Sequence, residues 1–210
     1  MTLPKWTKDE GCFLCNPDAD LVYQSDCTSL ALCGLGPIVK GYSVVATRRH
    51  ICSAADATAS EALDFPPFAS EIRSKPAGLY DQCLLTEHGR LPVCVDVSGT
   101  TDPHCYHAHF LMFPSAPPVE TTARAHFRKA EDASSFEEAL EIARSHEEYS
   151  LLSPDPHHFI IMTRPGRLIR QFARLLVAES LGSPELANWR HHSLREDAAL
   201  NAAELRGLFR

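Results

Sequence analysis

At 210 residues, with 44% hydrophobic and 22% charged side chains, the chain has an ordinary globular composition and enough length for one sizeable core, or one domain with an appendage. No apolar run approaches the roughly 18 residues of a membrane-spanning helix, and the amino terminus lacks the apolar centre of a secretion signal, so a cytoplasmic protein without a membrane partner is expected. A formal net charge of −7 argues against a general binder of polymeric nucleic acid but leaves room for a small phosphorylated ligand held at a local positive site.

In chain order, the first half predicts strands at Leu21–Gln24, Thr28–Leu32 and Tyr42–Ala46, with turn-rich Gly34-Leu-Gly-Pro37 and Lys40-Gly41 between the last two, as in an antiparallel meander. A helical stretch follows, interrupted by Pro66-Pro67, which start a new helix over Pro67–Tyr80. Cys83–Glu87 predicts a strand, the segment 89–103 is partly loop, and Cys105–Phe113 predicts another strand. Beyond Pro114 the texture changes. Ser135–His146 predicts a helix with Ser135 as N-cap, Phe159–Met162 a brief strand, Pro165–Leu181 a helix that leaves through Gly182, and Leu194–Leu208 a last helix. The expected architecture is α+β: a core over residues 1–118, with an antiparallel sheet and flanking helices, and a mostly helical extension over 119–210 packed on it.

The eight cysteines fall between Cys12 and Cys105 and are expected to be reduced thiols, given the absence of a secretion signal. Cys12-Phe-Leu-Cys15 is a Cys-x-x-Cys pair whose two thiolates can grip one zinc ion if two further ligands are supplied. Such a pair is also compatible with two buried thiols or a redox site. His50 and the region of His107 offer the missing ligands.

The segment Cys105-Tyr-His-Ala-His-Phe-Leu-Met-Phe-Pro114 sets Cys105, His107, His109 and Leu111 on one strand face and Tyr106, Ala108, Phe110 and Met112 on the other. Two histidines on one face concentrate metal-binding or nucleophilic nitrogens, although strand histidines without chemistry give the same pattern. A neutral imidazole can attack phosphorus when its other nitrogen is held as a donor by a backbone carbonyl.

Together these segments resemble the histidine-triad superfamily, named for a His-x-His-x-His strand. Cys12 to Cys15 is similar to the amino-terminal zinc pair of its zinc-containing members. Leu35 to Ile51 is similar to their strand-turn-strand, ending in the basic pair Arg48-Arg49 and His50. Glu87-His-Gly89, His107-Ala-His109 and Pro114 are similar to the bacterial-type core, and Pro165 to Gln171, Leu181-Gly182 and Trp189-Arg190 to the carboxyl-terminal extension of a longer subgroup.

The resemblance implies a nucleotidyl hydrolase or transferase in which the middle histidine attacks the α-phosphorus of a nucleotide and carries the nucleotidyl group covalently. A proline commonly follows the third triad position by three residues, so Pro114 places that position at Leu111, the middle at His109 and the first at His107. His109 is then the nucleophile, and the implied zinc ligands are Cys12, Cys15, His50 and His107, a closed structural set. A competing register starts at Cys105, with His107 in the middle; it also keeps four zinc-capable ligands but loses the proline spacing. A homodimer is implied as well.

Two departures weaken the link to ordinary nucleoside hydrolysis. Leu111 replaces a polar third histidine that would contact phosphate, and the ribose-gripping acid or amide of the family falls near Gly34, which has no side chain. The alternative is a non-catalytic, zinc-stabilised module that binds a nucleotide or protein partner. A zinc hydrolase is disfavoured because four protein ligands leave no open position for water. Arg164, Arg167, Arg170 and Arg174 could hold phosphate oxygens at a helix start or form a solvated face. Glu87 and His88 could reach the site from a neighbouring strand, although a turn beside Gly89 is the simpler role. The pairs His157-His158 and His191-His192 receive no role.

Overall fold

The computed structural model describes residues 12–80, 82–91, 107–166, 168 and 171–209. Eight strands form a single sheet: β1 (Val22–Ser25), β2 (Ser29–Cys33), β3 (Ser43–Thr47), β4 (Cys83–Glu87), β5 (His109–Pro114), β6 (Phe127–Ala133), β7 (Ser150–Asp155) and β8 (His158–Pro165). Their spatial order is β1-β2-β3-β5-β4-β7-β8-β6, and each of these pairings is antiparallel. The expected class, an antiparallel sheet with flanking helices, is what the chain adopts. Strands β2 and β3 are buried at every residue, which explains their near-continuous apolar or small composition rather than a polar–apolar alternation.

Helix α1 (Ala59–Ser74) lies across one sheet face, where Phe65 stacks on Phe110 of β5 at 4.9 Å between ring centres. Contrary to the expected break, α1 runs through Pro66 and Pro67. The two missing N–H groups leave the carbonyls of Ala62 and Leu63, and Leu63 is among the most exposed apolar residues of the chain, so water can reach that side of the helix. Both ends are secured. Thr58 and Glu61 form a reciprocal capping box, and the buried Arg73 guanidinium donates to the Cys83 and Ser153 carbonyls and the Ser153 hydroxyl at 2.8 Å. Helix α3 (Phe136–Arg144), capped by Ser135 as expected, adds Phe136 edge-on to Phe110 on the same face.

The segment after residue 118 carries more strand than its sequence signals. Helices α2 (Glu120–Ala125), α3, α4 (Phe172–Ser180) and α5 (Arg195–Leu208) alternate with β6, β7 and β8, which extend the sheet beyond β4. Pro165 does not start a helix; it ends β8 opposite Phe127, and α4 begins only at Phe172. The apolar run Phe159–Met162 is paired on both sides, so ladder bonds and burial outweigh the helical spacing that follows it. Helix α4 covers the sheet face opposite α1, with Phe172, Ala173 and Leu176 over Thr86, Leu152 and Met162 around a cavity of about 10 Å³. Among the described residues no helix is long and apolar enough to cross a membrane.

Gly89 turns the chain out of β4 at φ +58°, and a Cβ there would collide with the carbonyl and ring of Tyr149. Gly89→Ala should therefore cost about 2 kcal/mol or more of unfolding free energy. Denaturant titration measures this, and a wild-type midpoint would contradict the packing described.

Candidate functional site

Three chain segments meet at one end of the sheet. The turn after Cys12 is closed by the Cys15 and Asn16 N–H groups donating to the Cys12 carbonyl at 3.1 and 3.2 Å, which aims both sulfurs the same way. The chain leaving β3 pairs with the entry to β5: Thr47 N–H donates to Ala108 O, and Ala108 N–H to Ile51 O. This brackets His50 and His107 and sets their rings 4.8 Å apart. Arg48 and Arg49 hold the intervening turn, Arg48 through the Asp26 carbonyl at 2.6 Å and Arg49 through a two-pronged bond to Glu61 at 2.7 and 2.6 Å. The basic pair before His50 is thus bonded within the protein.

The ligand atoms of Cys12, Cys15, His50 and His107 all lie within 4.8 Å of one another. The Cys12 sulfur is 3.4 Å from His107 Nδ1, and the Cys15 sulfur is 3.1 Å from His50 Nδ1 and 3.6 Å from His107 Nδ1. A tetrahedral zinc ion with ordinary bond lengths separates neighbouring ligand atoms by roughly 3.3–3.8 Å. The cluster fits a structural zinc site with all four positions filled by protein. The His107 ring is oriented as a ligand: Nε2–H donates to the Thr47 carbonyl at 2.6 Å, which leaves the Nδ1 lone pair facing the sulfurs. Burial pushes its pKa down to about 4, so the ring is neutral as a ligand must be. Cys15, Cys27, Cys33 and Cys83 carry free thiols as expected, but Cys12 is disulfide-bonded, so zinc at this sulfur requires reduction to the thiolate. Cys105, the first residue of the competing register, lies outside the described residues.

His109 opens β5 opposite Ala46 and is half-buried. Its Nδ1–H donates to the His107 carbonyl at 2.6 Å, so the free lone pair is on Nε2. Burial lowers its pKa, which favours the neutral ring. Leu111 is buried opposite Thr86 and offers no polar atom.

Other expected participants lie elsewhere. Arg174 is neither a phosphate clamp nor solvated. It is 3% exposed, donates to the carbonyls of Gly36, Leu186 and Ala187 at 2.7, 2.9 and 2.9 Å, and lies over the Tyr42 ring at 5.0 Å. Arg164 is exposed on β8, and Arg167 and Arg170 fall outside the described residues. Gly34 has no room for a side chain, because a Cβ there would collide with Tyr42.

Glu87 does more than border a turn. Its carboxyl group accepts from Ala54 N–H at 2.7 Å and the Tyr149 hydroxyl at 2.8 Å, anchoring the loop that follows His50 to β4 and the start of β7. Burial raises its pKa to about 7. Tyr149 could have been found only through the apolar run that follows it, since nothing local marks it as a partner of Glu87.

No protein-family model and no curated protein matches the chain. Among solved structures it is similar to the Hit-like protein involved in cell-cycle regulation from Bartonella henselae, at 14% identity and TM-score 0.40 over 52% of this chain and 80% of that one. It is similar to a Zn-bound histidine triad family protein from Mycobacterium smegmatis, at 15% identity and TM-score 0.39 over 64% and 91%. The C. elegans NitFhit protein, of which the chain covers 27%, aligns over 60% of this chain at 15% identity and TM-score 0.38. Histidine-triad proteins are thus among the solved structures that this chain resembles.

Reduced protein should take up about one zinc per chain and melt higher when loaded. Cys12→Ser should lower metal content and that gain together, and metal-free protein that is equally stable after reduction would contradict the site. Glu87 supplies a pH dependence. Its folded pKa lies above the unfolded value, so its contribution is full below about pH 4.5 and is lost as pH rises through about 7. Glu87→Gln should therefore gain roughly 1–3 kcal/mol over wild type at pH 8 and little at pH 4.5. Melting curves at the two pH values measure the difference, and an equal effect at both would contradict it.

Proposed function

We propose that the chain is a nucleotidyl hydrolase or transferase of histidine-triad type, acting at the α-phosphorus of a nucleotide-like substrate through a covalent intermediate on His109. The observation that carries the reading is the 2.6 Å hydrogen bond from His109 Nδ1–H to the His107 carbonyl. It fixes the tautomer whose Nε2 lone pair can attack phosphorus. The N–P bond forms as the bond from phosphorus to the leaving oxygen breaks, and the leaving group departs with that electron pair. Water or a second phosphate then accepts the nucleotidyl group from the imidazole.

Cys12, Cys15, His50 and His107 are the proposed zinc ligands. Zinc held there is structural and supplies charge and rigidity to the His107 ring. The protein residues hold the strand entry: Thr47 grips His107, and His107 grips His109.

A second reading, a zinc-stabilised module that binds without turnover, draws on Leu111 and Tyr42. Leu111 is buried and apolar, and the Tyr42 ring, packed between Phe113 and Arg174 at 5.0 Å from each, fills the space beside Gly34. Mass spectrometry after brief incubation with a panel of nucleoside phosphoramidates and polyphosphates separates the two. The enzyme reading expects a nucleotidyl adduct on the peptide containing His109, with turnover reduced by about three orders of magnitude or more in His109→Ala. Undiminished turnover in that variant would remove His109 as nucleophile, and binding without adduct across the panel would favour the module.

A further inference from the structure

The zinc set and the triad motif both leave out an imidazole beside His109. Strands β4 and β5 pair with Leu85 opposite Met112 and Thr86 opposite Leu111. Continued by two residues, that register sets His88 across from His109. Directly opposed residues of an antiparallel pair share a face, as do residues two apart along a strand, so Thr86, His109 and Leu111 lie on one side of the sheet, and the alternation of β4, carried one residue past its end, assigns position 88 to the same side. The intervening residue follows the same alternation. Glu87 sends its carboxyl group to the other side, to Ala54 N–H and the Tyr149 hydroxyl. Gly89 then turns the chain at φ +58°, and the Leu91 N–H closes the turn on the His88 carbonyl at 3.2 Å. The backbone of His88 belongs to the turn just past β4, and its ring is close enough to His109 to feel that ring's charge.

The chemistry of the ring suits the position. Burial, with His109 nearby, lowers its pKa to about 3, so it is neutral and offers one N–H donor. Position 111, the next on this face along β5, is a leucine without any donor.

We infer that His88 donates a hydrogen bond to a non-bridging oxygen of the phosphoryl group that His109 attacks, in place of a polar side chain at position 111. The inference rests on the reading of His109 as the nucleophile. During attack the His109 Nε2 lone pair forms the N–P bond, and the leaving oxygen takes the electron pair of the broken P–O bond. The Nδ1 proton stays on His109, bonded to the His107 carbonyl. His88 transfers no proton; its N–H bond strengthens as charge builds on the phosphoryl oxygens, which is where a fixed donor lowers a barrier. The substrate class is thus a phosphoryl compound with at least one unesterified oxygen directed at β4.

Inorganic phosphate is the probe that tests this without requiring turnover. In reduced, zinc-loaded protein, phosphate should shift the ring resonances of His88 and His109 along one saturation curve. His88→Ala should weaken phosphate about tenfold and slow adduct formation on His109 by about 10- to 100-fold, while His88→Asn, which keeps a donor, recovers most of both. If phosphate moves His109 but not His88, or if His88→Ala leaves phosphate affinity at the wild-type value, the inference is overturned. The ring-shift measurement needs no variant and decides the matter even where a substitution unfolds the chain. The parent reading fails separately: phosphate binding that depends on His88, with no adduct from any nucleotide, keeps the oxyanion donor and removes the nucleophile.

Discussion

The site hangs on the two ends of one residue. His107 gives its Nε2–H to the Thr47 carbonyl and turns Nδ1 toward the sulfurs of Cys12 and Cys15; its own carbonyl takes the Nδ1–H of His109 and turns the other imidazole's Nε2 outward. Each hydrogen bond is short, at 2.6 Å, and each selects one of two tautomers; in the proposed reading the wrong tautomer would present an N–H where a lone pair is needed. In the proposed reading, metal ligation at His107 and the orientation of His109 are therefore coupled through one residue of backbone. Anything that moves the His107 ring moves the carbonyl that holds His109.

The carboxyl-terminal segment reinforces this arrangement from outside. Gly36 N–H donates to the Ser193 carbonyl at 2.6 Å, Arg174 reaches the Gly36 carbonyl, and Arg206 donates to the carbonyls of Val22, on the edge strand β1, and of Asp20 just before it. Arg195 pairs with Asp18, just past the Cys12–Cys15 turn. Position 36 is glycine for two reasons: φ is +63°, and any side chain would meet Trp189, the His192 carbonyl and Arg174. Among the described residues the buried Arg174 guanidinium has no carboxylate partner; three carbonyl oxygens and the Tyr42 ring receive its charge instead. The same packing sets Arg174 over the Tyr42 ring, whose edge fills the space beside Gly34.

Much of the core was legible because its signals are local. The predicted strands at Leu21, Thr28, Tyr42 and Cys83 appear within one or two residues of the observed β1 to β4, and Ser135 caps α3 as its position before an amphipathic run predicts. The metal cluster was legible because Cys-x-x-Cys and two histidines of different segments are chemically unusual together. What stayed hidden depends on distant partners. Strand β6, with the sequence Phe-Arg-Lys-Ala-Glu-Asp-Ala, has no apolar alternation of its own and is a strand because β8 pairs with it. Pro66 and Pro67 argue for a break that tertiary packing of Phe65, Phe68 and Ile72 overrides. Arg174 reads as a phosphate-binding or solvated arginine until its carbonyl partners at Gly36 and Leu186, far away in sequence or across a turn, are known. The disulfide at Cys12 has no signature in spacing.

The coupling through His107 is tested most directly by the nitrogen chemical shifts and one-bond N–H couplings of the two ring systems in reduced, zinc-loaded protein. The account predicts His107 protonated at Nε2 with Nδ1 bound to metal, and His109 protonated at Nδ1 with an unprotonated Nε2. A His109 ring protonated at Nε2, or a His107 ring whose Nδ1 carries a proton in the presence of zinc, would contradict it.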